Sequence, residues 1–225
     1  MHRQRAFTLV EMAIVLVIIG LLIGGVLKGQ ELINSAKVKN YAADFRNIPL
    51  FIYGYQDKFR ATPGDDLAVT QHLSGASQIT TTGCGSSGCT GNGRLDGNWD
   101  STTSTDETFL FWQHVRLAGL ASGSTDTTAA DYPMQNAGGG RIGIESGSNN
   151  YIKNASGNGF LPGTYVICSA GILGKLAKQL DVTLDDGNTQ TGAVRIVNSA
   201  HTRGNAALAN TAVDEATPVT VCMGV

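Results

Sequence analysis

The stretch FTLVEMAIVLVIIGLLIGGVL, residues 7–27, decides the class of this chain. It holds one charged residue, Glu11, and is bounded by Arg5 and Lys28. As a helix it spans about 30 Å, one hydrocarbon thickness of a bilayer. Residues 1–6, Met-His-Arg-Gln-Arg-Ala, are short and basic, which predicts a cytoplasmic N-terminus and export of the remainder. A cleaved secretory signal would need a small-x-small site after the apolar run. The run instead ends in Gly24-Gly25-Val26-Leu27-Lys28, and helical patterning continues beyond it. Glu11 is the anomaly: a carboxylate at a bilayer centre costs roughly 2.5–3.5 kcal/mol or more. Either it snorkels to the interface, or it meets a cation supplied by another chain.

The remainder of the chain sets the other bounds. Its 225 residues carry 42% hydrophobic and only 15% charged residues, with 29 Gly. The charge deficit is filled by Gly, Ser, Thr and Asn, a loop-rich composition. With 16 Lys+Arg against 18 Asp+Glu the net charge is −2, which argues against charge-driven disorder and against a basic nucleic-acid footprint.

Past Lys28, the residues Leu32, Ile33, Ala36, Tyr41, Phe45, Ile48, Ile52, Tyr55 and Phe59 recur mainly at steps of three to five. This spacing predicts one helix from about Phe7 to Arg60, apolar all round and then amphipathic. Pro49 is expected to kink or interrupt it, and the turn Thr62-Pro63-Gly64-Asp65-Asp66 ends it. Residues 67–108 read as loop. A second helix follows over residues 109–118, with Thr105 or Asp106 as N-cap and Gly119 as the stop. Residues 121–160 read as loop with short apolar runs. Strands are expected at 160–169, 192–197 and 219–222, and a short helix at 172–180. Residues 198–217 show no period.

Ala6-Phe7-Thr8-Leu9-Val10-Glu11 resembles the cleavage and methylation motif of type IV prepilins and type II secretion pseudopilins. The resemblance implies cleavage after Ala6 by a membrane prepilin peptidase and N-methylation of the new amine on Phe7. It also implies assembly through Glu11. Ala6 departs from the Gly usual at that position, a difference of one methyl group. Further segments are similar to larger prepilin-like proteins: residues 56–66, 111–114 with 118–120, and 184–188 with 191–192. The implied fold is α+β and pilin-like, a long N-terminal helix packed on a small antiparallel sheet with long Gly/Ser/Thr-rich loops. The implied organisation is a leader at 1–6, the long helix at 7–61 with 7–27 in the membrane, and an exported domain at 62–225.

The function so implied is that of a filament subunit and not of an enzyme. Its partners would be the peptidase, other pilin or pseudopilin subunits and an inner-membrane assembly platform, with no nucleic acid. The chain would sit in the inner membrane with its C-terminal domain periplasmic, then enter a pilus or pseudopilus. By the same resemblance, the 219 residues left of 225 once residues 1–6 are removed are long for a major subunit and point to a minor one. The competing reading is a monomeric, membrane-anchored periplasmic binding protein that keeps its leader.

In an exported chain, cysteines default to disulfides. Cys84, Cys89, Cys168 and Cys222 allow three connectivities. The pairings 84–89 and 168–222 are favoured, as a local loop and a strand-to-tail staple. The four His are scattered, which disfavours zinc. Two G-x-G-x-x-G matches, at 83–88 and 138–143, lack the strand and helix of a dinucleotide site. No cofactor is expected beyond calcium. Two clusters of hard oxygen ligands suit that ion: Asn92, Asp96, Asn98 and Asp100, and more so Asp181, Asp185, Asp186 and Asn188.

Overall fold

The computed structural model describes residues 9–79, 91–149, 151–155 and 159–225. Helix α1 runs Leu9–Phe59. Two compact units divide the chain, the second beginning at Val38, inside α1. In the first, the apolar side chains from Leu9 to Leu27 are exposed. No side chain there has a core to enter, as expected of a segment whose solvent is lipid.

In the second unit α1 buries one stripe: Val38, Tyr41, Ala42, Phe45, Ile48, Ile52 and Tyr55. The steps of three and four place these residues on one face. The helix is continuous through Pro49, so of the kink or interruption expected there the interruption does not occur. An interior proline costs about 3 kcal/mol or more. Burying Phe45, Ile48 and Ile52 returns roughly 1.5–3 kcal/mol each, so tertiary packing outweighs the lost backbone bond. Arg60, at φ +58°, ends the helix.

The buried stripe packs on a four-stranded antiparallel sheet of order β1-β2-β4-β3. The strands are β1 (Ile142–Ser146), β2 (Tyr165–Leu173), β3 (Val194–Asn198) and β4 (Pro218–Gly224). Alternation sorts their side chains by face. Ile142, Ile144, Tyr165, Ile167, Val194, Ile196, Val219 and Val221 join the α1 stripe from Val38 to Ile52 in one core, while Tyr55 packs with Val69 and Leu73. A bulge between Ser169 and Ile172 returns Ile172 to that same core. The core is closed by helix α3 (Glu107–Leu117) through Phe111, Trp112 and Val115, and by helix α4 (Gly174–Leu184) through Leu176, Ala177 and Leu180. A single turn of helix, α2 (Val69–His72), lies in the segment read as loop.

The second helix therefore exists where the sequence placed it, though Asp106 caps it without a side-chain bond. Its carboxylate instead accepts from the Ser101 hydroxyl at 2.5 Å. Gly119 supplies the stop. At φ +76° its N–H donates to Arg116 O at 3.0 Å, and Leu120 N–H donates to Val115 O at 2.9 Å. That bond pair is the Schellman closure, which favours glycine.

Strand β1 was not foreseen. Its run Ile-Gly-Ile-Glu-Ser is short and carries a glycine, both of which weaken a strand signal. Gly143 is needed because the Trp99 carbonyl crosses it closely; a Cβ there would lie 1.8 Å from that oxygen. On this opposite face, Trp99, Ile152, Leu161, Val166, Cys168, Val197, Ala207 and Cys222 form a second cluster.

Candidate functional site

The first candidate site is the start of α1. Glu11 lies in its first described turn, on the exposed apolar segment. Ala6 and Phe7 lie outside the described residues. Among the described residues, α1 is the helix long and apolar enough to cross a membrane, and the qualifying stretch is wholly unburied.

The strand-to-tail bridge is formed. Cys168 and Cys222 face one another across β2 and β4, with Cα atoms 4.1 Å apart and an S–S distance of 2.08 Å. Both are fully buried. Cys84 and Cys89 lie outside the described residues.

A polar network that the sequence did not announce gathers at the turn after α1. Asp66 Oδ2 accepts from the Tyr55 hydroxyl at 2.7 Å and lies 2.7 Å from His72 Nδ1, while Oδ1 accepts from Ala68 N–H at 2.9 Å. Burial alone would raise the Asp66 pKa, but these bonds, led by that to His72, hold it below the ordinary range. Asp65 accepts from the backbone N–H groups of Gly91 and, at 2.7 Å, Gly93. Glu107, fully buried, accepts from Asp96 N–H at 2.7 Å through Oε2, while its Oε1 has no hydrogen-bond partner among the described residues. Burial first, then the neighbouring Asp65 and Asp96 charges, push the Glu107 pKa well up. The environment thus favours the protonated form of Glu107.

His114 is a satisfied core residue: Nδ1 accepts from Gly64 N–H at 2.8 Å, and Nε2 donates to Ser77 O at 2.9 Å. Burial lowers its pKa and keeps it neutral. A surface pocket of about 530 Å³ opens beside the network, lined in part by Gln56, Phe59, Asp65, Asp66 and His72. These polar groups are engaged in fastening the turn to α2, α3 and residues 91–97. The only signal in the sequence was the adjacent Asp-Asp after Pro-Gly, which marks a turn and says nothing of its distant partners.

On the opposite sheet face Glu145 of β1 is also fully buried, accepting two bonds from Arg203, at 2.7 and 2.8 Å, and one from Trp99 N–H at 2.9 Å. This bidentate pair ties residues 198–210 over the sheet.

The two clusters of oxygen ligands fare differently. In the first, Asn92 donates to Asp96 at 2.8 Å, and Asn98 Oδ1 accepts from Arg203 at 2.7 Å. In the second, Asp181, Asp185 and Asp186 each bring a carboxylate oxygen within 4.8 Å of the other two. Asn188 turns its Oδ1 to Gln190 N–H at 3.2 Å. Burial, reinforced by Asp185 and Asp186, pushes Asp181 up to about 7. The Gly-rich match at 138–143 forms the turn that opens β1, and the match at 83–88 lies outside the described residues.

No curated protein matches the chain at a significant level. A family match does exist at the N-terminus, over residues 1–27, to the Prokaryotic N-terminal methylation motif. It ends where the apolar stretch of α1 ends, at Leu27. The chain thus carries, on its exposed apolar helix, the prepilin-type signal of type IV pilins and pseudopilins.

Proposed function

We propose that this chain is a minor structural subunit of a type IV pilus-like or type II secretion pseudopilus filament. The observation that carries the reading is the methylation motif at residues 1–27, continued by a helix whose apolar side chains find no core of their own. In this reading a prepilin peptidase cuts after Ala6 and the amine of Phe7 is methylated. The positive leader keeps residues 1–6 in the cytoplasm, so the unit from Val38 onward reaches the periplasm.

Assembly then proceeds at an inner-membrane platform, helix against helix. A neighbour inserted one subunit rise out of register brings its Phe7 amine beside Glu11. The pair neutralises both charges in hydrocarbon and sets the stagger. The motif marks the protein as a peptidase's substrate and a building block.

Mass spectrometry of the protein recovered from sheared filaments tests this directly. A chain beginning at methyl-Phe7 is expected. An intact Met1 on a chain confined to the membrane would instead establish the anchored, monomeric binding protein.

A further inference from the structure

Helix α4 carries an acidic residue on its core face. Leu176, Ala177 and Leu180 of α4 enter the core, and Asp181, one turn after Ala177, follows them to full burial. Among the described residues, neither oxygen of the Asp181 carboxylate has a hydrogen-bond partner. A buried carboxylate in that state is costly, and native interiors rarely tolerate it without a counter-charge or a ligand.

Its surroundings make the orphaning informative. Asp185 and Asp186 are held in place by other bonds. Asp185 Oδ2 accepts from Val194 N–H at 2.8 Å. Asp186 Oδ1 accepts from Asn188 N–H at 2.9 Å, and Oδ2 from the Thr191 hydroxyl at 2.6 Å. Three acids are thereby fixed in one place despite their mutual repulsion. Arg195 is the nearby cation and moderates the repulsion. Its Nη1, however, donates to the carbonyls of Thr191, Gly192 and Val194. Among the described residues it makes no ion pair with any of the three acids.

We propose that Asp181, Asp185 and Asp186 form a calcium site that fastens the end of α4 to the turn entering β3. The ligand oxygens lie within 4.8 Å of one another. Three oxygens that close together can share one Ca²⁺ at bond lengths of about 2.3–2.6 Å. Three hard carboxylates leave the rest of a 6–8-fold sphere to carbonyls and water in the flexible geometry that Ca²⁺ accepts, whereas Mg²⁺ demands a near-ideal octahedron and gives up its own waters reluctantly. The ion would supply the counter-charge that Asp181 lacks and would stiffen β3, an edge strand of the sheet. The site does not depend on the filament reading, since it belongs to the second compact unit alone.

The test uses the full-length protein in detergent micelles, stripped with chelator and titrated with Ca²⁺ or Mg²⁺ while its thermal unfolding and binding heat are recorded. Calcium at about 10 mM, above the 10⁻⁴–10⁻³ M dissociation constants of extracellular modules, is expected to raise the melting temperature by several degrees. Magnesium should produce less than half that shift. Asp181→Asn should abolish the calcium shift while melting, metal-free, at or above the wild-type temperature, because the buried charge is gone. Asp186→Ala, at an exposed position, should weaken calcium binding at least tenfold. A wild-type melt indifferent to calcium, or a full calcium shift retained by Asp181→Asn, overturns the site and leaves Asp181 as a protonated core acid.

Discussion

Glu107, fully buried at the start of α3, lies within electrostatic reach of Asp65 in the turn that ends α1, and the Asp65 charge adds to burial in favouring the protonated form of Glu107. Asp65 presents its two oxygens to backbone donors of Gly91 and Gly93 and is suited to carry the charge. Glu107, with no solvent access, is suited to carry the proton.

This relationship predicts a loss of stability toward alkaline pH. The folded pKa of Glu107 is raised, so its contribution is complete below the unfolded value near 4.5. It is lost as pH rises toward and through the folded value. Glu107→Gln keeps the shape of the side chain and removes its titration. It should gain roughly 1–3 kcal/mol over wild type at pH 8 and little at pH 4, read from urea unfolding at both pH values.

His114 acts in the opposite direction. Its folded pKa is depressed by burial, so its contribution is complete above its ordinary value near 6.5. That contribution is lost as pH falls through the lower, folded value. His114→Leu strands Gly64 N–H and Ser77 C=O, at about 1–3 kcal/mol each. The variant should be less stable at pH 7, and the difference should shrink on acidification. A difference that widens toward acid would contradict the neutral, doubly bonded imidazole.

The disulfide crosses the two central strands, β2 and β4, on the face away from α1. Cys168→Ser should cost roughly 2–5 kcal/mol. Non-reducing peptide mapping should recover the 168–222 link, and by expectation an 84–89 link as well. Recovery of free thiols at all four positions in protein from the cell envelope would refute both.

Processing should depend on the size of residue 6. Ala6→Leu should block removal of the leader, because a narrow protease subsite must accept that side chain. Ala6→Gly should be processed at least as well as wild type. Equal cleavage of the two variants, seen as equal mobility shifts on gels, would place the cut elsewhere.

Glu11→Val separates the assembly role from simple anchoring. Membrane insertion and folding of the unit beginning at Val38 should survive, as should leader cleavage. Incorporation into filaments should fall. Wild-type amounts of the variant sedimenting with sheared filaments would mean that Glu11 only reaches to the interface.

What the sequence determined by itself is the N-terminal element: an apolar run of bilayer length, the basic leader, Glu11 and the motif around Ala6 and Phe7. These are properties of consecutive residues, and length and composition along one helix axis suffice to read them. The amphipathic part of α1, the Schellman stop at Gly119 and the strands at β3 and β4 were legible for the same reason, since capping and periodicity are local. Tertiary structure alone decided the rest. Helix α1 passes Pro49 because the sheet rewards burial of its flanking residues. Strand β1 exists because it pairs with β2, and Gly143 lets the Trp99 carbonyl lie against it. The burial of Glu107 near Asp65, the Glu145–Arg203 pair and the placement of Asp181 beside Asp185 and Asp186 each depend on where the core carries a charged group. Sequence patterning assigns such groups to the surface, because isolated charges are costly inside; only the folded chain brings together the partners that make their burial tolerable.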